Sequence, residues 1–280
     1  MGPRTARSTW QAPTALTASD GATLFHRDWG RGRPVVFLSG WALSSAIWGG
    51  QMMHLAECGA RCVAYDRRGH GRSSDPGRGY DYDTLADDLA AVLTQLDLQG
   101  VTLVGHSMGG GEIVRCLERH GSDRIDRIAL LGPTLPFPQK SADNPEGLER
   151  AVFDRLRAAL LHDYPGWLDD NAGPFFTPET TPGTVAWVKG IMLQVSLQAA
   201  IGCFDAMVET DFRAALAAID LPVLVIHGDS DQSAPLELTG RRTVGLLPRG
   251  RLSVYEGAPH GLFVTHRDRL NAELAAFILK

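Results

Sequence analysis

Residues 101–114 read VTLVGHSMGGGEIV. The first five residues form an apolar run suited to a buried strand, and the last four suit the opening of a helix. Between them stand Ser107 and four glycines, Gly105, Gly109, Gly110 and Gly111. Glycine inside a helix costs about 1 kcal/mol relative to alanine, so three in a row need a reason. Gly105 and Gly109 flank Ser107 at two residues on either side, in the pattern G-x-S-x-G. A serine on a very sharp strand-to-helix turn brings the two backbones close together, and a Cβ at either flank would collide there. The turn lifts the hydroxyl clear of the sheet and leaves the first helical N–H groups facing its surroundings, where an anion is welcome. Gly110 and Gly111 are expected to let the helix pack tightly against adjacent strands.

Outward from this stretch the chain alternates short apolar runs with helix-length segments. PVVFLSG (34–40), ARCVAYD (60–66), RIDRIALLGP (124–133), PVLVIHG (222–228) and RLSVYEG (251–257) read as strands, most of them buried on both faces. TLFHRDWG (23–30) reads as an antiparallel edge pair with LTASDG (16–21). Helices are expected over 44–59, 81–100, from Met108 to about Arg119, around 236–246, and from about Asp268 to Leu279. The helix in 81–100 carries Leu85, Leu89, Val92, Leu93 and Leu96 at helical spacing, acids in its first turn and Gly100 as a stop. Such alternation predicts an α/β fold: a mostly parallel twisted sheet of about eight strands with helices on both faces. Residues 134–218 break the rhythm with helix-like patterns, several prolines and many large apolar side chains. That insertion is too long for a plain crossover and reads as a helical lid over the carboxyl edge of the sheet, where open α/β sheets bind ligands. The expected organisation is one domain, with its core in 16–133 and 219–280 and a loose N-terminal tail over 1–15.

The 280 residues are 44% hydrophobic and carry a formal charge of −5, enough apolar mass for a sizeable core and no basic stripe for nucleic acid. No run approaches 18 apolar residues, the first residues lack the apolar stretch of a secretory signal, and Ala6 stands where myristoylation wants Ser or Thr. A cytoplasmic protein without membrane contact is expected. The four cysteines, Cys58, Cys62, Cys116 and Cys203, form no C-x-x-C pair and read as small hydrophobes. Arg67-Arg68 and Arg241-Arg242 read as solvated or structural.

A nucleophilic serine needs a base, and the base needs a group to orient it. His260, in the loop after the last strand, lies at the same sheet edge as Ser107 and fits the chain order Ser, acid, His. His266 competes from six residues further on. His26, His54, His120 and His162 read as surface or packing residues, His70 as structural, and His106 as packing beside the site wall. Two acids, Asp229 and Asp231, follow the preceding strand, and position alone does not separate them. The oxyanion formed on acyl attack needs backbone donors. The N–H of Met108 is one, and the loop after VVFLSG points to Trp41 for the other, with its indole placed to wall the acyl pocket.

With those residues assembled, the chain resembles the α/β-hydrolases from about Leu16 onward. GWALSSAIW, AYDRRGHGRSS, YDYDTLADDLAAVL, LVGHSMGGGE, ETDFRAALAAIDLPVLVIHGDSDQSAP and GAPHGLFVTHRDRLN resemble more closely the cofactor-free bacterial haloperoxidases, which are aryl esterases with perhydrolase activity. The resemblance implies that Asp231 is the acid, through Gly228, Asp231 and Pro235 in the family's G-x-x-D-x-x-x-P pattern. It leaves Asp229 to shape the loop, and carries the histidine onto His260 and the oxyanion donors onto Trp41 and Met108. Many members have His-Gly before the oxyanion residue where this chain has Ser39-Gly40, which opens the question of local hydrogen bonding there. The implied activity is hydrolysis of small hydrophobic or aromatic carboxylic esters through an acyl-enzyme, without metal or other cofactor, with peroxide able to replace water. Lactones and small cyclic amides are alternative substrates, and a hydrolase-fold small-molecule receptor is the alternative of another class. The expected partner is a small ester, and a homo-oligomer is compatible with the sequence.

Overall fold

The computed structural model describes residues 15–279. The tail expected over 1–15 therefore lies, apart from Ala15, outside the described residues. In chain order the elements open with β1 (Leu16–Thr17), β2 (Thr23–Leu24), β3 (His26–Gly30), β4 (Arg33–Leu38), α1 (Gly49–Glu57), β5 (Ala60–Tyr65) and α2 (Tyr82–Gln95). Next come β6 (Val101–His106), α3 (Met108–His120) and β7 (Ile125–Leu131). Five helices follow: α4 (Arg150–His162), α5 (Tyr164–Asn171), α6 (Pro182–Met192), α7 (Leu197–Glu209) and α8 (Arg213–Ala217). The chain then returns through β8 (Val223–Gly228), α9 (Gly240–Leu246), β9 (Gly250–Tyr255), α10 (Leu262–Thr265) and α11 (Arg267–Ile278).

Seven strands form one sheet in the order β3-β5-β4-β6-β7-β8-β9. Only the edge strand β3 is antiparallel to its neighbour; the other pairs run parallel. Among the described residues this sheet has seven strands, against an expectation of about eight. β1 and β2 instead pair with each other, and the loop at Ser73 and Ser74 takes the free edge of β2. Thr23 N–H donates to Ser74 Oγ (2.8 Å) and Ser74 N–H to Thr23 O (2.9 Å). The central strands β6 and β8 are buried at every position, as the unbroken apolar runs require. Two apolar clusters cover the two faces: one joins the sheet to α2 and α3, the other to α1 and α11.

The Gly49-Gly50 pair opens α1 after a turn of 3-10 helix over Ser45–Trp48. Helix α2 starts where Asp81 accepts a bond from Thr84 N–H (2.9 Å), an N-cap the acidic first turn foreshadows. The helices α4 to α8 lie between β7 and β8 in the chain. Among the described residues no single helix is long and apolar enough to cross a membrane. All four cysteines are free; Cys62, Cys116 and Cys203 are buried, but Cys58 is exposed at the C-cap of α1. The expectation of a small hydrophobe fails there because α1 ends at the surface. Arg67 and Arg68 are buried rather than solvated: each is consumed by carboxylates, Arg67 by Glu112 and Arg68 by Asp20 and Asp88.

Candidate active site

Ser107 follows β6 with φ +53° and ψ −119°, a conformation that costs a residue with a Cβ roughly 1–3 kcal/mol. The surrounding glycines explain how it is held. A Cβ on Gly105 would lie 2.8 Å from the backbone of Gly109, and one on Gly109 would lie 2.8 Å from the carbonyl oxygen of Leu38 in β4. Strand and helix thus meet at backbone contact on both sides of the serine. Gly110 does face a strand, with Leu130 of β7 3.3 Å from its Cβ position. Gly111 does not: its Cβ would lie 2.5 Å from the ring of Tyr82 in α2, so it serves helix–helix packing. Ser107 N–H donates to Leu131 O (2.9 Å), fixing the turn to β7. The Ser107 hydroxyl makes no hydrogen bond among the described residues.

Asp231 and His260 arrive from the loops after β8 and β9 and meet at 2.7 Å, Asp231 Oδ2 accepting from His260 Nδ1. The other oxygen, Oδ1, accepts from Ser233 N–H (2.9 Å) and Ala234 N–H (2.8 Å). Burial alone would raise this carboxyl. The adjacent His260, the nearby His227 and the Ala234 N–H outweigh it and hold Asp231 well below the usual carboxylate range. His227 was not singled out from the sequence. Fully buried on β8, it donates from Nε2 to Ala234 O (2.7 Å) and lies 3.4 Å from Asp231 Oδ2. Asp229 is 2.7 Å from Gly257 N–H and ties the two loops together without reaching His260. Gly132, at the end of β7, leaves room for the pair: its Cβ would be 3.3 Å from both Asp231 Oδ2 and His260 Nδ1.

His106 joins His260 to the strand that precedes Ser107. Its ring packs on His260 with centroids 4.7 Å apart, and its Nε2 donates to the carbonyl of His260 (3.1 Å). Burial first, then the neighbouring His260, lowers its pKa well below the ordinary histidine value, so the ring stays neutral. His266 caps α11 beside Thr265 and Tyr255, away from this cluster. His26 and His70 are buried, His54 is half-buried, and His120 and His162 are exposed. His70 donates from Nδ1 to Arg68 O (2.9 Å).

The loop after β4 brings Ser39, Gly40 and Trp41 to the same edge. Gly40 O accepts from Leu43 N–H (3.2 Å) in a turn whose third residue, Ala42, has φ +58°. A Cβ on Gly40 would be 2.6 Å from His106 and 3.2 Å from the Cβ of Ser107, which places this loop against Ser107. Neither Trp41 N–H nor Met108 N–H has a partner among the described residues. The question raised by Ser39 has a direct answer. Its hydroxyl accepts from the Trp48 indole (3.1 Å), and its carbonyl accepts from Arg67 (2.7 Å). Arg67 and Glu112 escaped the sequence reading, although a lone acid in the glycine-rich first turns of a buried helix was a visible signal. The Trp41 indole donates to Ala200 O on α7 (2.7 Å) and meets Tyr164 and Trp167 edge-on.

An apolar cavity of about 160 Å³ opens beside the acid loop, between Leu135, Phe137, Phe204 and Met207 on one side and Ser233 and Ala234 on the other. A larger one of about 490 Å³ has Trp187, His266 and Arg267 in its wall, and neither cavity is lined by Ser107, Asp231 or His260.

Residues 33–267 match the alpha/beta hydrolase fold family. The chain is 40% identical over 271 residues to a non-heme chloroperoxidase, CPO-A1, of Kitasatospora aureofaciens, covering 94% of this chain and 98% of that one. It is 39% identical over 282 residues to the bifunctional esterase/perhydrolase DCH of Acinetobacter calcoaceticus, with the same coverage of 94% and 98%. Among solved structures, a bromoperoxidase from Bacillus anthracis superposes with a TM-score of 0.90 at 37% identity, over 95% of this chain and 100% of that one.

Proposed function

The chain belongs to the alpha/beta hydrolase family, and we propose that within it the protein is a serine esterase acting on small hydrophobic or aromatic carboxylic esters, with perhydrolysis as a second outcome. One observation carries the reading: Ser107 sits on a strained backbone turn, with the hydrogen-bonded Asp231–His260 pair delivered to the same sheet edge. In this reading His260 Nε2 takes the Ser107 proton as the oxygen attacks the ester carbonyl, a contact that tightens when substrate is in place. Asp231 keeps the proton on Nδ1 and stabilises the imidazolium. The N–H groups of Trp41 and Met108 receive the oxyanion. The imidazolium protonates the departing alcohol, and water, deprotonated by His260, cleaves the acyl-enzyme to acid.

If hydrogen peroxide takes the place of water, the same step yields a peracid and free Ser107. The peracid can oxidise halide in solution to hypohalous acid, itself returning to the carboxylic acid. The names of the two relatives, a chloroperoxidase and an esterase/perhydrolase, support both outcomes. The apolar cavity of Leu135, Phe137, Phe204 and Met207, next to the Ser233–Ala234 turn that holds Asp231, supports a small hydrophobic group.

Release of p-nitrophenol from p-nitrophenyl acetate tests the reading. Sustained turnover by the native chain that disappears in Ser107→Ala is expected. Equal activity in both forms overturns the assignment, and a single burst that stops points to a receptor-like protein. Halide-dependent oxidation in acetate and peroxide, also lost in Ser107→Ala, checks the second outcome.

A further inference from the structure

We propose that Arg67 and Glu112 are positioning residues that set the oxyanion hole, by yoking the Gly40–Trp41 peptide to the helix that carries the Met108 N–H. This rests on the reading of Ser107 as nucleophile. The guanidinium of Arg67 faces two ways. On one side Nε donates to Glu112 Oε1 (2.6 Å), joined there by Nη2. On the other side Nη2 donates to Ser39 O (2.7 Å) and Nη1 to Gly40 O (3.3 Å). Gly40 O and Trp41 N–H belong to one peptide unit. A peptide is planar and trans, so its oxygen and its N–H point in opposite directions. Whatever holds the oxygen therefore aims the N–H. Positive charge on the oxygen side also polarises the unit and makes its N–H a better donor to an anion.

Glu112 closes the linkage from the other direction. It lies on α3, five residues past Ser107, and is 1% exposed. Tyr65 OH at the end of β5 donates to its second oxygen (3.2 Å). The two N–H groups that would share the oxyanion thus hang from the two ends of one buried ion pair. Burial pushes the Glu112 carboxyl up while Arg67 and Tyr65 pull it down, and the guanidinium stays protonated throughout. A pair kept only for stability has no need of two loop carbonyls, since hydrophobic replacements of a buried pair are often neutral or better.

That same rule supplies the test. In the full chain, the double variant Arg67→Met/Glu112→Leu removes both charges together. We expect kcat on p-nitrophenyl acetate to fall about 10- to 100-fold, less than the roughly 10²- to 10³-fold loss from deleting a donor outright, with KM within about threefold. Inhibition by phenylboronic acid, whose tetrahedral serine adduct places an oxygen in the hole, should weaken by a similar factor. Binding of benzoate, which forms no such adduct, should be unchanged. Arg67→Lys keeps the charge but not the fork and should fall between. A double variant with native kcat and native boronate affinity overturns the yoke. If the double variant does not fold, Glu112→Gln carries the test, and unchanged kcat and boronate affinity there overturn it equally. Boronate that binds neither the native chain nor the variants overturns the reading of Ser107 and the yoke together; boronate that binds both alike overturns the yoke alone.

Discussion

At the scale of single residues the site is a set of tautomers and directions. Asp231 fixes which nitrogen of His260 carries the proton, and His106 holds the backbone of the same histidine. Asp231→Asn preserves the shape but presents a donor or a neutral acceptor where a carboxylate stood. The expected result is a fall in kcat on the order of 10⁴-fold with the fold intact, measured by p-nitrophenol release beside a thermal melt. Residual activity within about tenfold of native would show that the imidazole does not depend on this acid. Most of this placement was legible in the sequence, because G-x-S-x-G and the chain order impose residue types at fixed places. The partnerships of Arg67, Glu112 and His227 were not, because Arg67 meets Glu112 45 positions away and Ser39 28 away, and His227 meets Ala234 across a loop, and only the fold brings them together.

At the scale of elements, α3 shows how one run of glycines serves three different neighbours. The pattern located the turn, but sequence spacing could not say which glycine meets which element. Gly111→Ala would put a methyl group 2.5 Å from the ring of Tyr82. That ring is itself pinned edge-on against Phe212 at 5.0 Å and has little room to retreat. A loss of about 1–3 kcal/mol is expected, read as a lowered urea midpoint with unchanged slope. Gly110→Ala meets its first neighbour only at 3.3 Å and gains about 1 kcal/mol of helix propensity, so it should be neutral or slightly stabilising. If the two variants behaved alike, the packing of α2 on α3 would not be what selects glycine at 111. The strand count of the main sheet was legible to within one, but the loop serines that complete the edge of β2 carry no periodic signal.

Over the whole molecule, buried histidines set the response to acid. Burial and the nearby Arg67 lower the pKa of His70 to about 3, and burial and His260 lower that of His106 well below 6.5. Both fold as neutral rings, whereas the unfolded chain binds protons at them below about pH 6.5. The unfolded state then holds more protons, so stability must fall as pH falls. His70 alone should cost about 1 kcal/mol between pH 6 and pH 5, and His106 acts in the same direction. Asp231 adds nothing in that window: its depressed pKa gives stability that is full above about pH 4 and is lost only as pH falls toward its folded value. Urea melts at pH 5, 6 and 7 check this. A stability independent of pH across that range would mean that the two rings are not held neutral.

The placement of the sulfurs has a consequence of another kind. Cys62, Cys116 and Cys203 are at most 1% exposed, and burial pushes each thiol up to about 12. A protonated, shielded thiol is a poor target for peroxide, which attacks the thiolate. Cys58, at the surface with His54 3.8 Å away, is the one left within reach. Bathed in oxidant, the chain should record the exposure among its thiols at Cys58 alone, at the C-cap of α1 and far along the sequence from Ser107, while the buried thiols stay reduced. Mass spectrometry after peroxide treatment should find Cys58 modified and the other three intact, with esterase turnover retained. Thiol oxidation would then be confined to the surface, leaving the buried sulfurs that pack the core untouched.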